Sequence, residues 1–168
     1  RFVDKEEGVF TGYASVFDEV NRYGEIMQRG AFRESLAKRS RDVGLPMLWN
    51  HDPDQPIGIW TSLAEDEKGL RVTGRLLTET VKGSEIYALM SAGAVAGLSI
   101  GFFLRGDKRG ANGTRIITSA DLFEISVTSV PVDQNAHVTH VRSFQRQRVH
   151  TFNQAALSAA KSIRSENN

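Results

Sequence analysis

Apolar and polar positions alternate with a period of two along much of this chain. Residues 8–18 (GVFTGYASVFD) alternate apolar residues with small or polar ones, which is typical of a strand that buries one face. The same reasoning predicts further strands at 25–27, 45–51, 57–63, 70–77, 95–104, 114–118, 121–130 and 136–141. The pattern thus predicts about ten strands joined by short connections.

Helical spacing is confined to two short stretches. Residues 30–36 and 83–90 have apolar positions three or four residues apart, which predicts two helices, and Gly93 is placed to end the second. Charged or glycine-rich segments at 65–69 and 107–113 predict a hairpin turn and a loop. Because regular β-α-β alternation is absent, the order predicts a mixed, mostly antiparallel β sheet or barrel with flanking helices.

Composition limits the range of functions. The chain has 168 residues and a formal charge of +1, so it is long enough for one domain with a core and gives no indication of a nucleic-acid or membrane partner. It contains no cysteine, which excludes disulfides, thiolate metal sites and a cysteine nucleophile. No apolar run approaches the roughly 20 residues that span a bilayer.

Residues 142–168 differ in composition from the rest of the chain. Their five lysine and arginine residues face a single acidic residue, Glu166. We therefore divide the chain into a domain over 1–141 and a basic C-terminal tail over 142–168, with a weak amphipathic helix predicted at 155–163.

Three polar residues in apolar surroundings are candidates for catalysis. Ser99 lies between Gly97 and Gly101, and glycines let another backbone, such as a substrate strand, approach closely. Ser99 would attack a carbonyl, and His51 would take its proton as general base. Glu124 would accept the other imidazole N–H and hold the tautomer. Strand parity places Ser99 and Glu124 on a solvent-facing patch, away from the predicted core face.

Each candidate also has an ordinary structural explanation. Ser99 can pack closely under a neighbouring strand. His51 can be a turn residue hydrogen-bonded to the adjacent aspartate, because Pro53 is expected to end the strand at this point. Glu124 can be a solvated carboxylate on an exposed sheet face. Two aspartates compete with it for the acid role: Asp121 and Asp133.

Two further motifs point to other chemistry. The Gly-x-Ser99-x-Gly pattern matches the nucleophile elbow of α/β-hydrolases, but that elbow requires a strand, a sharp turn and a helix, with the histidine last. Here a strand-like run follows Ser99 and His51 precedes it. His137 and His140 are three residues apart in a predicted strand and hence lie on opposite faces, so we expect no metal site there. We also expect no organic cofactor.

The candidates belong to a set of segments that resembles one family, the capsid-maturation (prohead) proteases of HK97-type tailed phages, distantly similar to herpesvirus assemblins. The segments run in family order from residue 10 to about 141 and leave the tail uncovered. They are GYASVF (12–17), RGAF (29–32), LWNHD (48–52), PIG (56–58), GL (69–70), GLSIGF (97–102) and LFEIS (122–126) through Pro131.

The resemblance implies a serine endopeptidase that digests scaffolding segments inside the procapsid, within the host cytoplasm, and also cleaves itself. By motif match His51 and Ser99 carry over as base and nucleophile, whereas Glu124 stands where the herpesvirus relatives have a second histidine. The oxyanion hole does not carry over by motif; backbone N–H groups in 132–135 are expected to form it because they follow the end of the Glu124 strand. The expected substrate is capsid or scaffold protein, a homodimer is expected by analogy, and the tail is the expected self-cleavage segment.

Two other functions are compatible with the same architecture. One is a catalytically silent protease-like module that binds capsid or scaffold protein during assembly, and the other is an esterase. Labelling of Ser99 by a serine-directed phosphonate or fluorophosphate probe separates an enzyme from the binding module. Cleavage of a protein substrate separates a protease from an esterase.

Overall fold

The computed structural model describes residues 7–38 and 44–142, which contain eight strands and two α-helices. The strands are β1 Val9–Val16, β2 Glu25–Met27, β3 Pro46–Trp49, β4 Asp52–Glu65, β5 Gly69–Leu76, β6 Gly97–Arg109, β7 Arg115–Thr128 and β8 Val138–Val141; the helices are α1 Arg33–Lys38 and α2 Val81–Ser91. The helix expected at 155–163, and the tail beyond Arg142, lie outside the described residues.

All eight strands belong to one sheet, in the order β2-β7-β3-β4-β5-β1-β8, with β6 paired to β7. Strand β7 is long enough to pair with β6 along one edge and, in parallel, with β2 at 115–117 and β3 at 125–127 on the other. The other pairs are antiparallel, so the predicted mixed, mostly β class is confirmed. An isolated bridge joins Gly97 to His137, but the sheet is not closed, and the predicted barrel is an open one.

The alternation that predicted β1 is visible in its burial. Phe10, Gly12 and Ala14 are buried, and the residues between them are half-buried. The Phe10 ring packs edge-on against Trp60, with ring centroids 5.5 Å apart. Burying each such side chain contributes about 1.5–3 kcal/mol, so these strand faces hold the core together.

The predicted end of the second helix is also confirmed. Thr80 caps its start, since the Thr80 Oγ1 accepts the Gly83 N–H at 3.0 Å. At the other end Gly93 has a φ of 75° and donates its N–H to the Met90 carbonyl, the left-handed termination that glycine favours. Neither helix of the described segments is long and apolar enough to cross a membrane.

Several predicted boundaries are wrong because polar residues occupy paired strand positions. The strands expected at 114–118 and 121–130 form one strand, β7, and the loop expected at 107–113 shrinks because β6 runs to Arg109. Its last residues are opposite 115–117, so their backbone groups are bonded although their side chains are charged and exposed. Similarly, Pro53 does not end a strand but stands second in β4, where the missing N–H is tolerated.

Candidate active site

His51 lies in a tight turn between β3 and β4. Asn50 and His51 have positive φ angles of 51° and 62°, a left-handed conformation that is uncommon outside glycine. Two hydrogen bonds attach this turn to β7: the Asn50 N–H donates to the Val127 carbonyl and the His51 N–H donates to Ser126 Oγ, both at 3.0 Å. The neighbouring strand thus holds the imidazole-bearing residue in a strained conformation.

The His51 ring is hydrogen-bonded to Glu124, with Nδ1 2.6 Å from Oε1. The Glu124 carboxylate is buried, 4% exposed, and its Oε2 accepts a hydrogen bond from Ser126 Oγ at 2.8 Å. Because an ionised carboxylate can only accept, Nδ1 carries the proton, and Nε2 of the neutral ring is left as a proton acceptor. The hydrogen bond to Glu124 raises the pKa of His51 above its ordinary value, against the opposing effect of burial.

Ser99 lies on β6, directly opposite Ser126 of β7. Residues that face each other in an antiparallel pair project to the same side, with Cβ atoms roughly 4.5–5.5 Å apart. Ser99 therefore shares one side of the sheet with Ser126 and with Glu124, two residues earlier on the same strand. The structure brings the three predicted site residues to one region of the sheet, with His51 and Glu124 in direct contact.

A cavity opens beside Ser99. Its lining includes apolar residues of β1 and β6 together with three carboxylates, and neither His51 nor Glu124 is part of it. The residues lining it besides Ser99 are Ala14, Ser15, Val16, Glu19, Asn21, Tyr23, Glu25, Met27, Ile100, Phe102, Val132 and Asp133.

The predicted solvent-facing patch is wrong for both residues that strand parity placed on it. Ser99 is 5% exposed and Glu124 is 4% exposed, whereas the His51 side chain is 43% exposed. Strand parity describes the faces of isolated strands. It does not include distant segments such as β1 and the residues around Val132, which line the same cavity as Ser99.

Phe123 is a second exception to the parity prediction. Alternation along the predicted strand at 121–130 places Phe123 on the core face with Ile125 and Val127; those two are buried, but Phe123 is exposed. The register shifts between Gly101 and Phe102 of β6, so that Phe123 is the extra, unpaired residue of a bulge in β7. A bulge breaks the period of two, and the predicted face is therefore wrong at this position.

The two aspartates that competed with Glu124 have other partners. Asp121 forms an ion pair with Arg105 at 3.0 Å, and Asp133 accepts the Val16 N–H at 2.7 Å. In the described part of the chain neither carboxylate is bonded to the ring of His51, which supports Glu124 as the imidazole partner.

The turn interpretation of His51 is half right. The residue does stand in a turn, but its ring bonds to Glu124. The carboxylate of Asp52, its neighbour, instead accepts the Asp54 N–H at 2.9 Å and the Gln55 side-chain amide at 2.7 Å.

The segment expected to form the oxyanion hole lies beside the serine, since Val132 and Asp133 line the cavity with Ser99. The Asn135 N–H, however, donates to Asp133 Oδ1 at 2.9 Å and is already committed. Sequence reasoning did not assign a role to Ser126, which contacts both His51 and Glu124. Its position two residues after Glu124 in a predicted strand was the available indication.

His137 and His140 are exposed. Within residues 7–38 and 44–142 there is no group of three or more histidine, cysteine, aspartate or glutamate side chains arranged to hold a metal ion.

Comparison with known proteins places these features in a family. The sequence profile of the family described as "Caudovirus prohead serine protease" matches residues 1–152. The prohead protease of Enterobacteria phage HK97 is 39% identical over 143 residues, which cover 83% of this chain and 63% of that protein. The chain therefore spans less than two thirds of the length of this relative. The predicted family resemblance is confirmed.

Two solved structures have a similar fold. The capsid assembly protease of bacteriophage T4 superposes with a TM-score of 0.58 at 16% identity, covering 71% of this chain and 80% of that one. The KSHV protease, solved with a hexapeptide phosphonate inhibitor, gives a TM-score of 0.51 at 12% identity and covers 89% and 77%. At such identities the similarity shows the fold alone, and it confirms the herpesvirus-protease-like architecture.

Proposed function

The chain belongs to the caudovirus prohead serine protease family, and from this premise we propose that it is a serine endopeptidase that cleaves capsid or scaffold protein during capsid maturation. It would act inside the procapsid, in the host cytoplasm. The observation that carries the proposal is the 2.6 Å hydrogen bond between His51 Nδ1 and Glu124 Oε1, next to the strand that presents Ser99 on the same side.

In the proposed reaction Ser99 Oγ attacks the scissile carbonyl carbon while His51 Nε2 takes the hydroxyl proton. The C–N bond then breaks, His51 returns the proton to the leaving amine, and an acyl-enzyme remains on Ser99. Water then attacks the ester carbonyl carbon while His51 takes a proton from it. The bond to Ser99 Oγ breaks, and His51 returns the proton to that oxygen. Glu124 stays ionised throughout and stabilises the imidazolium that forms twice in each cycle.

Substrate reaches Ser99 through the cavity beside it. Its apolar lining suits the side chains of an extended peptide. Val132 and Asp133 line the cavity with Ser99, and their backbone N–H groups would bind the oxyanion. The hydrogen bond from Ser99 to His51 Nε2 forms with substrate in place, since catalytic hydrogen bonds tighten in the Michaelis complex.

The decisive experiment incubates the purified chain with capsid or scaffold precursor and follows cleavage by mass spectrometry. We expect cleavage by the wild type, loss of cleavage in Ser99→Ala and His51→Ala, and covalent labelling of Ser99 by a peptidyl phosphonate. Ser35→Ala is the matched control, because Ser35 is also a buried serine but bonds to Leu122 instead of the site. Full activity of Ser99→Ala would contradict the proposal, as would an unlabelled and inactive wild type, the behaviour of a silent binding module.

Self-cleavage within the basic tail over 142–168 is a finer part of the proposal. Its support is compositional: a basic, serine- and glutamine-bearing extension is a segment that a neighbouring active site can process. Intact-mass analysis of the active chain should show a shortened species that is missing in Ser99→Ala. Identical, full-length masses for both would remove this part and leave the endopeptidase proposal in place.

A homodimer is the other finer part, supported by analogy to the herpesvirus relatives. Sedimentation of the Ser99→Ala chain, in which no self-digestion is expected, measures it directly. A single monomeric species at concentrations where the wild type is active would contradict it.

A further inference from the structure

We propose that Ser126 is a positioning residue that fixes the orientation of both His51 and Glu124 through one hydroxyl group. The inference rests on the proposed function, because Ser126 would act through the proposed base and its carboxylate partner and would not touch substrate itself.

The partners of Ser126 fix which of its two hydrogen bonds it donates and which it accepts. Its Oγ accepts the His51 N–H at 3.0 Å and donates to Glu124 Oε2 at 2.8 Å. A backbone N–H can only donate and an ionised carboxylate can only accept, so the hydroxyl must do one of each. The side chain is fully buried, where no water competes for either bond. One rotamer of Ser126 therefore fixes both the position of the turn that carries His51 and the orientation of the Glu124 carboxylate.

The turn needs this support because of its backbone conformation. His51 has a φ of 62° and follows Asn50 with a φ of 51°, and such conformations persist where the surroundings over-determine them. The Asn50 N–H has a backbone carbonyl to bind, whereas the His51 N–H has the Ser126 hydroxyl. Without that hydroxyl the N–H of the proposed base loses its acceptor and the turn loses one of its two attachments.

The carboxylate needs it for a different reason. Glu124 is buried and uses Oε1 for the His51 ring. A second donor on Oε2 holds the carboxylate plane, and a buried oxygen left without a donor would turn the group towards another partner. Ser126 also stands opposite Ser99 on β6 and opposite Leu48 on β3. It therefore lies between β6, which carries the proposed nucleophile, and β3, which leads into the turn that carries the proposed base.

The test compares Ser126→Ala with Ser35→Ala. Ser35 is a buried serine whose hydroxyl accepts a β7 backbone N–H, that of Leu122, at 2.9 Å. It therefore matches Ser126 in burial and in structural role, but not in contact with the site. We expect Ser126→Ala to lower kcat/KM on the order of 100-fold, mainly through kcat, since small misplacement of catalytic groups has effects of this size.

The readout that separates positioning from mere packing is the titration of His51, followed by NMR of its imidazole. In Ser126→Ala the raised pKa of His51 should fall towards its ordinary value because contact with Glu124 loosens. Ser35→Ala should lose thermal stability without either change. A Ser126→Ala chain that keeps the wild-type kcat and the wild-type His51 titration would overturn the inference.

Two measures keep the test decisive. If Ser126→Ala does not fold, Ser126→Cys carries the same test, because its thiol is of similar size and a much weaker hydrogen-bonding group. The titration is also read in the Ser99→Ala background, where no turnover is needed. A wild type that cleaves nothing would therefore defeat the proposed function, while the titration alone decides the role of Ser126.

Discussion

Gly101 lies directly opposite Glu124 in the antiparallel register of β6 and β7. A Cβ at Gly101 would collide with Glu124 Oε1, the oxygen that accepts the hydrogen bond from His51 Nδ1. It would also lie 2.7 Å from ring atoms of Phe123. The second glycine of the motif around Ser99 thus makes room for the buried carboxylate, whereas the sequence argument explained it by an approaching substrate strand.

Replacing Gly101 by alanine should therefore impair the site more than the fold. The added methyl group displaces the Glu124 carboxylate from His51, and we expect kcat/KM to fall on the order of 100-fold while the pKa of His51 drops towards its ordinary value. Peptide cleavage and NMR titration measure the two effects. Gly106→Ala is the matched control on β6, because its Cβ would meet a side-chain hydroxyl, Thr118 Oγ1 at 3.0 Å, that can rotate away.

The ring of Phe123 offers a competing cause for any effect of Gly101→Ala. The double variant Gly101→Ala with Phe123→Ala removes the ring and keeps the collision with Glu124. We expect the double variant to remain impaired. Recovery of wild-type activity and of the His51 titration would assign the effect to the ring and contradict the role given to Gly101.

Glu124→Gln should lower kcat strongly although the side chain keeps its size. The amide carries no charge to stabilise the imidazolium, and its NH₂ group can donate to Nδ1 and so favour the wrong tautomer. The loss can reach about 10⁴-fold when a carboxylate in this role becomes an amide. Asp121→Asn is the control, since Asp121 pairs with Arg105. Equal losses in both variants, or near-full activity of Glu124→Gln, would contradict the assignment.

The local pattern predicted most elements of the fold because their burial follows from neighbouring residues. The alternation over 8–18 matches β1, and Gly93 ends α2 as expected. The ends of β6 and β7 are determined by the backbone pairing between these strands, which the hydrophobic pattern does not reveal. Asp107 and Arg109 are charged and exposed, yet they form ladder positions of β6 against β7. A polar strand on an exposed edge and a polar loop have the same composition, so sequence cannot distinguish them.

Sequence motifs indicated the candidate residues of the site, whereas the residues that surround them could not be predicted. Ser99, His51 and Glu124 carry recognisable motifs, and the structure brings them to one region. The roles of Ser126 and Gly101 depend on which residue of β6 or β3 faces which residue of β7. That register joins positions far apart in the chain and includes a bulge at Phe123, and neither leaves a trace in the local pattern.

The pH dependence of activity should reflect the bond between His51 and Glu124. In the proposed mechanism His51 acts as a base in its neutral form, and the hydrogen bond to Glu124 raises its pKa above the ordinary value of 6.5. We therefore expect kcat/KM, which reports the free enzyme, to rise with pH through a midpoint above 6.5. In Ser126→Ala the midpoint should move to lower pH. A wild-type midpoint below the ordinary histidine value would contradict the observed pairing.

The free energy of unfolding should also depend on the protonation of His51. The contribution of His51 to stability should fall as pH rises, whereas activity should increase. Because the pKa of His51 is raised in the folded state, its stabilising contribution is complete below the unfolded value of 6.5 and is lost as pH rises through the folded value. We expect the unfolding free energy of Ser99→Ala minus that of Ser99→Ala with His51→Ala to shrink across this range. The histidine side chain is 43% exposed, so the change should not exceed about 1 kcal/mol. His137 and His140 are present in both chains and cancel in the difference. A difference that grows with pH would mean that Glu124 does not stabilise the protonated ring.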